Sequence, residues 1–177
     1  HNSKAQAFVA ISNGCDKFCT YCIVPYSRGR EKSRRLEDIL NECQTLVQNG
    51  CKEITLIGQT VNSYGLSTYD KNEGQFAELG GSEPFVELLK QIDSLKDQGL
   101  LRVRFTSPHP KDMSDELIEA MATLQTQMPY LHLPVQAGDD TTLRRMNRTY
   151  TTEQYRDIIR KLRAKIPDIA ISTDVIV

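Results

Sequence analysis

The 177-residue chain carries 22 lysines and arginines against 23 aspartates and glutamates, with 39% hydrophobic and 25% charged residues. That ordinary globular mix excludes collagen-like, rod-like and disordered chains, and a net charge of −1 leaves any nucleic-acid binding to a local patch. Apolar runs such as Ile169 to Ile171 fall far short of the roughly 20 residues a bilayer span needs, and the polar opening from His1 to Gln6 offers no signal peptide, so a cytoplasmic protein with no membrane partner is expected.

In chain order, Phe8 to Ser12 reads as a first strand, followed by a loop holding three cysteines. Leu36, Ile39, Leu40, Cys43, Leu46 and Val47 recur at helical spacing up to the Asn49-Gly50 stop. Glu53 to Ile57 is a second strand, and the polar stretch from Gln59 to Glu83 reads as a long functional or mobile loop. Pro84 opens a helix carrying Phe85, Leu88, Leu89, Ile92 and Leu95. Leu101 to Phe105 is a third strand, and Ser114 caps a helix with Leu117, Ile118, Met121 and Leu124 on one face. Tyr130 to Leu133 is a fourth strand that stops at Pro134. Thr151 or Thr152 caps a last helix with Tyr155, Ile158, Ile159 and Leu162, and Ile169 to Val177 is a fifth strand.

Alternation of strand and helix points to βαβ units and a parallel α/β sheet. In such folds the chemistry gathers at the carboxyl ends of the strands. The polar clusters Asn13 to Cys22, Gly58 to Asn62, Thr106 to His109 and Val135 to Asp140 fall at those ends, which points to an enzyme. The last strand reaches Val177 with no cap or polar tail, so the expectation is an open barrel of about five strands, cut before its last.

Cys15, Cys19 and Cys22 place three thiols within eight residues. A short loop can wrap them round an iron–sulfur cluster, leaving one iron of a cubane without a protein ligand. A structural zinc ion is the alternative and needs a fourth ligand, for which Cys43, Cys51, His109 and His132 are available. Cys43 lies on the apolar stripe of its helix and Cys51 precedes a strand, so both read as small core residues. Five cations, Arg28, Arg30, Lys32, Arg34 and Arg35, lie within eight residues beside the loop and read as phosphate contacts or a solvated surface. Arg144, Arg145 and Arg148 read as a second basic group at the surface.

The triad, with Tyr21 just before its last member, resembles the radical S-adenosylmethionine (SAM) signature. The continuation Ile23-Val-Pro-Tyr-Ser-Arg-Gly-Arg-Glu-Lys-Ser-Arg34 is similar to that of the methylthiotransferases. Four stretches resemble their tRNA-modifying branch, MiaB: Gly58-Gln-Thr-Val-Asn-Ser-Tyr-Gly65, Arg104-Phe-Thr-Ser-Pro-His-Pro110, Leu131-His-Leu-Pro-Val-Gln-Ala-Gly138 and Met146-Asn-Arg-Thr-Tyr-Thr151. Ala137 and Thr60 stand where that branch commonly has serine and asparagine.

The resemblance implies a partial parallel barrel of the radical SAM type over residues 1–177, with a 4Fe-4S cluster and SAM as cofactors. Cys15, Cys19 and Cys22 would ligate the cluster, and Tyr21, Gly58, Gln59, Gln136 and Asp174 would contact SAM. Asp174, inside the fifth strand, would need a partner if buried. The implied reaction generates a 5′-deoxyadenosyl radical that abstracts hydrogen from C2 of an N6-isopentenylated adenosine beside the anticodon, where sulfur is inserted and methylated. Arg28, Arg30 and Arg34 would contact tRNA, His109 and His132 would touch substrate or pack, and an electron donor such as flavodoxin or ferredoxin would be a partner. An N-terminal auxiliary-cluster domain and a C-terminal RNA-binding domain are implied outside this sequence. Threonylcarbamoyladenosine or a ribosomal protein is the alternative substrate within the family, and a zinc-stabilised RNA-binding module is the alternative outside it.

Overall fold

A computed structural model describes residues 5–176 apart from 73, 75 and 80. The elements run β1 (Gln6–Ala10), β2 (Ser12–Asn13), α1 (Val24–Arg28), β3 (Lys32–Ser33), α2 (Leu36–Gln48), β4 (Glu53–Ile57), α3 (Thr68–Asn72), α4 (Pro84–Asp93), β5 (Arg102–Phe105), α5 (Asp115–Thr123), β6 (Tyr130–His132), α6 (Asp140–Arg145), α7 (Thr152–Lys165) and β7 (Ala170–Ser172). Strands β1, β4 and β5 form a parallel sheet in that order, with Val9 opposite Leu56 and Leu56 opposite Phe105. Strands β6 and β7 pair in parallel, Leu131 opposite Ile171. A parallel bridge between Val103 and Gln127 links β5 to the segment that leads into β6, and a second, between Gln136 and Val175, carries the β6–β7 pairing past Pro134. Each of the five long strands thus runs parallel to its neighbour, the alternation expected from sequence. Val177, the end of the expected fifth strand, lies outside the described residues.

Helices α2, α4, α5 and α7 connect successive parallel strands and pack against one another along one side. Their apolar stripes, including Ile39, Leu88, Ile92, Leu117 and Leu162, bury against Val9, Ile54, Leu56, Val103 and Leu131. Because side chains alternate along a strand, Phe8, Thr55 and Arg104 share the other face in register, where Phe8 is 72% exposed. Caps fall where the sequence places them. Ser114 Oγ accepts from Leu117 N at 3.0 Å, and Thr151 forms a capping box with Gln154. Cys43 and Cys51 are core residues as expected, and burial pushes the Cys43 thiol up to about 12.

The 59–83 stretch departs from the expectation of a long mobile loop. It forms a 3-10 turn at Val61–Ser63, helix α3 and a second 3-10 turn at Ala77–Leu79, and Val61, Asn62, Ser63 and Tyr64 are buried. Its polar side chains satisfy backbone from distant segments, which makes them internal. Asn62 brackets His109, donating to its carbonyl at 2.9 Å and accepting from its N–H at 2.8 Å. Asp70, fully buried, accepts from Ser33 N at 3.0 Å and Ser33 Oγ at 2.8 Å.

Asp93 plays the same part under the sheet. Its Oδ1 accepts from Thr126 N and Oγ1, each at 2.8 Å, and Lys96 Nζ lies 3.0 Å from Oδ2. Burial works to raise the carboxyl, but the Thr126 donors and the Lys96 ammonium outweigh it and hold Asp93 below the usual carboxylate range. Asp93→Ala is expected to cost about 2–4 kcal/mol in urea denaturation at neutral pH by orphaning buried donors. Because the carboxylate is stabilised in the folded state, the difference from wild type should shrink as the pH falls below about 4.

Candidate functional site

The cysteine loop is closed at its base by a short ladder that sequence periodicity does not reveal. Strands β2 and β3 pair antiparallel, Ser12 with Ser33 and Asn13 with Lys32. Next to them Gly14 takes φ +77°, and a Cβ there would sit 2.2 Å from the Arg30 carbonyl oxygen and 2.6 Å from that of Gly29, so only glycine fits. Cys15 N then donates to Gly29 O at 3.2 Å. Asp16 ties the far limb, accepting from Glu31 N at 3.1 Å and pairing with Arg30 Nε at 2.8 Å. Lys17 reaches Asp112 Oδ2 at 2.5 Å.

The second anchor is the segment after α6. Met146 O accepts from Thr20 N at 3.2 Å and Arg145 O from Thr20 Oγ1 at 3.1 Å. Asn147 Nδ2 donates to Phe18 O at 2.9 Å, and an Arg148 terminal nitrogen lies 3.3 Å from Cys19 Sγ. Arg148 thus lines a cleft, half-buried, where a surface position was expected. Its signal was its place in the Met146 to Thr151 motif, but the partner lies 129 residues away.

These loops enclose a cleft of about 250 Å³ at the carboxyl ends of the strands. All three expected cysteines line it, with Tyr21, Gln59, Gln136 and Asp174, and so do His109 and His132. Lys17, Thr60, Ser107 and Arg148, to which the sequence assigns no role in the site, also line it. Gly58 lies just beneath, where a Cβ would meet Ser12 Oγ at 2.6 Å. Asp174 is not inside a strand, as expected, but beyond the end of β7. Its side chain is 65% exposed and 3.2 Å from His132 Nε2, so solvent and one partner suffice. Arg28, Arg30 and Arg34 lie outside the cleft: Arg28 is exposed, Arg30 pairs with Asp16, and Arg34 binds Ala10 O and Glu42, both at 2.7 Å.

Two features mark the cleft as functional. Among the described residues, the non-glycine positions with positive φ are Phe18, Ser107, Gln136 and Asn147. All four belong to the cleft or to the loops that clamp it, and such strained backbone concentrates at functional sites. The electrostatics are also one-sided. Burial works against the charge of Arg148, but hydrogen bonds to Tyr150 and Cys19 outweigh it and hold the guanidinium charged. His109 is pushed down to about 3, first by burial and then by Arg148 and Lys17, so it is neutral at physiological pH. Burial raises the Cys15 thiol against the opposing hydrogen bonds from Thr60 and the Lys17 N–H. Of the three free thiols that line the cleft, Cys19 faces a guanidinium, with an Arg148 nitrogen 3.3 Å from its Sγ.

The donor set fits an iron–sulfur cluster. A cubane takes one thiolate per iron, so its ligands stand apart around a cleft. A closed structural zinc site takes four protein ligands, and the triad supplies three thiols.

A parallel α/β sheet presenting three thiols in a strained, cationic cleft defines a metal- and cofactor-binding enzyme core. The Radical SAM superfamily model matches residues 9–177, and the chain belongs to that superfamily. Enzymes of this superfamily use a 4Fe-4S cluster and SAM. The chain is 52% identical over 176 residues to the tRNA-2-methylthio-N(6)-dimethylallyladenosine synthase of Thermoanaerobacter sp. (strain X514), covering 99% of this chain and 35% of that protein. The enzyme of the same name from Caldicellulosiruptor saccharolyticus is 51% identical over 172 residues, covering 97% of this chain and 34% of that protein. The chain therefore spans about a third of the length of these curated relatives. Among solved structures, the radical SAM methyltransferase TsrM from Kitasatospora setae, with cobalamin and a 4Fe-4S cluster bound, matches with a TM-score of 0.69. It is 17% identical, over 96% of this chain and 30% of that one. The cobalamin-dependent radical SAM enzyme OxsB matches at 0.67 and 13% identity, over 97% of this chain and 23% of that one. At these identities the likeness is one of fold. Among the described residues no helix is long and apolar enough to cross a membrane.

Proposed function

We propose that this chain is the radical SAM core of a cytoplasmic tRNA methylthiotransferase acting on C2 of N6-isopentenyladenosine next to the anticodon. One observation carries the reading. Cys15, Cys19 and Cys22 line a single cleft in a chain 52% identical, over 99% of its length, to a tRNA-2-methylthio-N(6)-dimethylallyladenosine synthase. The three thiolates would hold a 4Fe-4S cluster, which with SAM would supply one-electron radical chemistry.

The remaining residues bind, orient and shield. Tyr21, Gln59, Gln136 and Asp174 line the same cleft and contact SAM, while Gly58 beneath lets backbone approach it. Gln136 N donates to Asp174 O at 2.9 Å, which ties the two contacts together. Arg28 and Arg30, exposed on the outer limb of the loop, contact tRNA phosphates, and so does the partly exposed Arg34, steadied by Ala10 O and Glu42.

Because the chain spans 35% of its Thermoanaerobacter relative, sulfur delivery and most RNA binding belong to other domains. These are an N-terminal auxiliary-cluster domain and a C-terminal RNA-binding domain, and a small redox protein of the flavodoxin or ferredoxin class supplies the electron. Mass spectrometry of tRNA nucleosides from a strain lacking the gene tests the reading. Loss of the methylthio group from isopentenyladenosine is expected. Its retention, with loss of methylthio from threonylcarbamoyladenosine or from a ribosomal protein, would move the assignment to another branch.

A further inference from the structure

We propose that Arg148 is a positioning residue that sets the reduction potential of the metal centre through the Cys19 thiolate, an inference that rests on the cluster-binding role given above to the three cysteines. The three thiols are not equivalent. Cys15 receives only neutral donors, Thr60 Oγ1 and Lys17 N, each at 3.5 Å. Cys19 faces a guanidinium at 3.3 Å.

That guanidinium is fixed from behind. Its Nε lies 3.2 Å from Tyr150 Oη, and its carbon stands 5.3 Å from the centre of the Tyr150 ring. Tyr150 is itself buried and donates to Val135 O at 2.8 Å. Among the described residues no carboxylate pairs with Arg148. A partly buried cation without a carboxylate calls for another anion, and Cys19, 3.3 Å away, provides one when its sulfur ligates the metal centre. Lys17, the other cation lining the cleft, is engaged by Asp112.

One-electron reduction adds a negative charge to a cluster. A cation hydrogen-bonded to a ligand sulfur stabilises the reduced form and raises the potential. The Met146 to Thr151 segment therefore does two separable things: Asn147 and the Met146 carbonyl hold the loop, and Arg148 tunes the metal. The charge is testable on its own, because Arg144→Gln removes an exposed cation outside the cleft and leaves Arg148 in place.

The experiment is a redox titration followed by electron paramagnetic resonance on anaerobically reconstituted wild type, R148Q, R148K and R144Q, with iron and sulfide assayed in each. In R148Q the ratio of reduced to oxidised cluster at a fixed potential should fall about tenfold, a shift of about 59 mV for a one-electron couple. R148K should stay within about threefold of wild type because the charge remains, and R144Q should not shift. R148Q at the wild-type potential with full iron content would overturn the proposal. Should R148Q load no iron, R148K decides: a loaded cluster near the wild-type potential supports tuning by charge, and failure to load overturns it. A wild type that takes up no iron would instead refute the underlying cluster assignment.

Discussion

Gly14→Ala is expected to abolish metal loading and to cost about 3 kcal/mol or more in stability. Two effects add. The φ of +77° is strained for any residue with a Cβ, a penalty of about 1–2 kcal/mol. The new Cβ also meets two backbone carbonyls, at 2.2 and 2.6 Å. Backbone cannot rotate away as a side chain would, so β2, β3 or the Cys15 N–H bond to Gly29 O must give. Gly50→Ala separates the two effects, since φ there is +94° and nothing lies within 4 Å of its Cβ. That variant should lose about 1–2 kcal/mol and load iron normally. Urea denaturation with iron assays on both variants provides the check, and equal behaviour of the two would refute steric closure of the loop.

The second large effect is expected at Glu31, which sits under the same loop with 1% exposure and an Oε1 that has no hydrogen-bond partner. Burial raises its carboxyl, Lys17 pulls it down, and Asp16, Asp112 and Asp70 push it up, leaving it at about 8 against an ordinary 4.5. The folded chain therefore keeps a proton that the unfolded chain releases. Stability from this group is full below about pH 4.5 and is lost as the pH rises to about 8. Glu31→Gln keeps the shape and removes the titration. It should match wild type at about pH 5 and exceed it by about 2–5 kcal/mol at about pH 9. Parallel stability profiles for the two proteins across that range would contradict this account. The alkaline loss would begin in the cysteine loop, because Glu31 N is one of its ties.

Much of the architecture was legible in the sequence where local pattern and tertiary burial coincide. The five parallel strands, the helices α2, α4, α5 and α7, and the Ser114 and Thr151 caps each write a periodic or capping signal into a few neighbouring residues. The cysteine triad and the ends of the strands marked the cleft for the same reason. What stayed hidden depends on partners far along the chain. The two-residue ladder of β2 and β3 has no period to detect, and α1 and α6, of five and six residues, are too short for an apolar stripe. The burial of Val61 to Tyr64 arises from bonds to residues 30 to 49 positions away. Arg148 and Asp174 were misplaced on this ground too, since a side chain's exposure is decided by what folds over it.

The most direct test of the central claim, that Cys15, Cys19 and Cys22 jointly hold a redox-active cluster, is anaerobic reconstitution of wild type and Cys19→Ala with iron and sulfide. Wild type should hold about four iron and four sulfide per chain and convert SAM to 5′-deoxyadenosine only when dithionite is present, while Cys19→Ala should do neither. A Cys19→Ala protein that keeps the full cluster, or a wild type that binds stoichiometric zinc and takes up no iron, would contradict it.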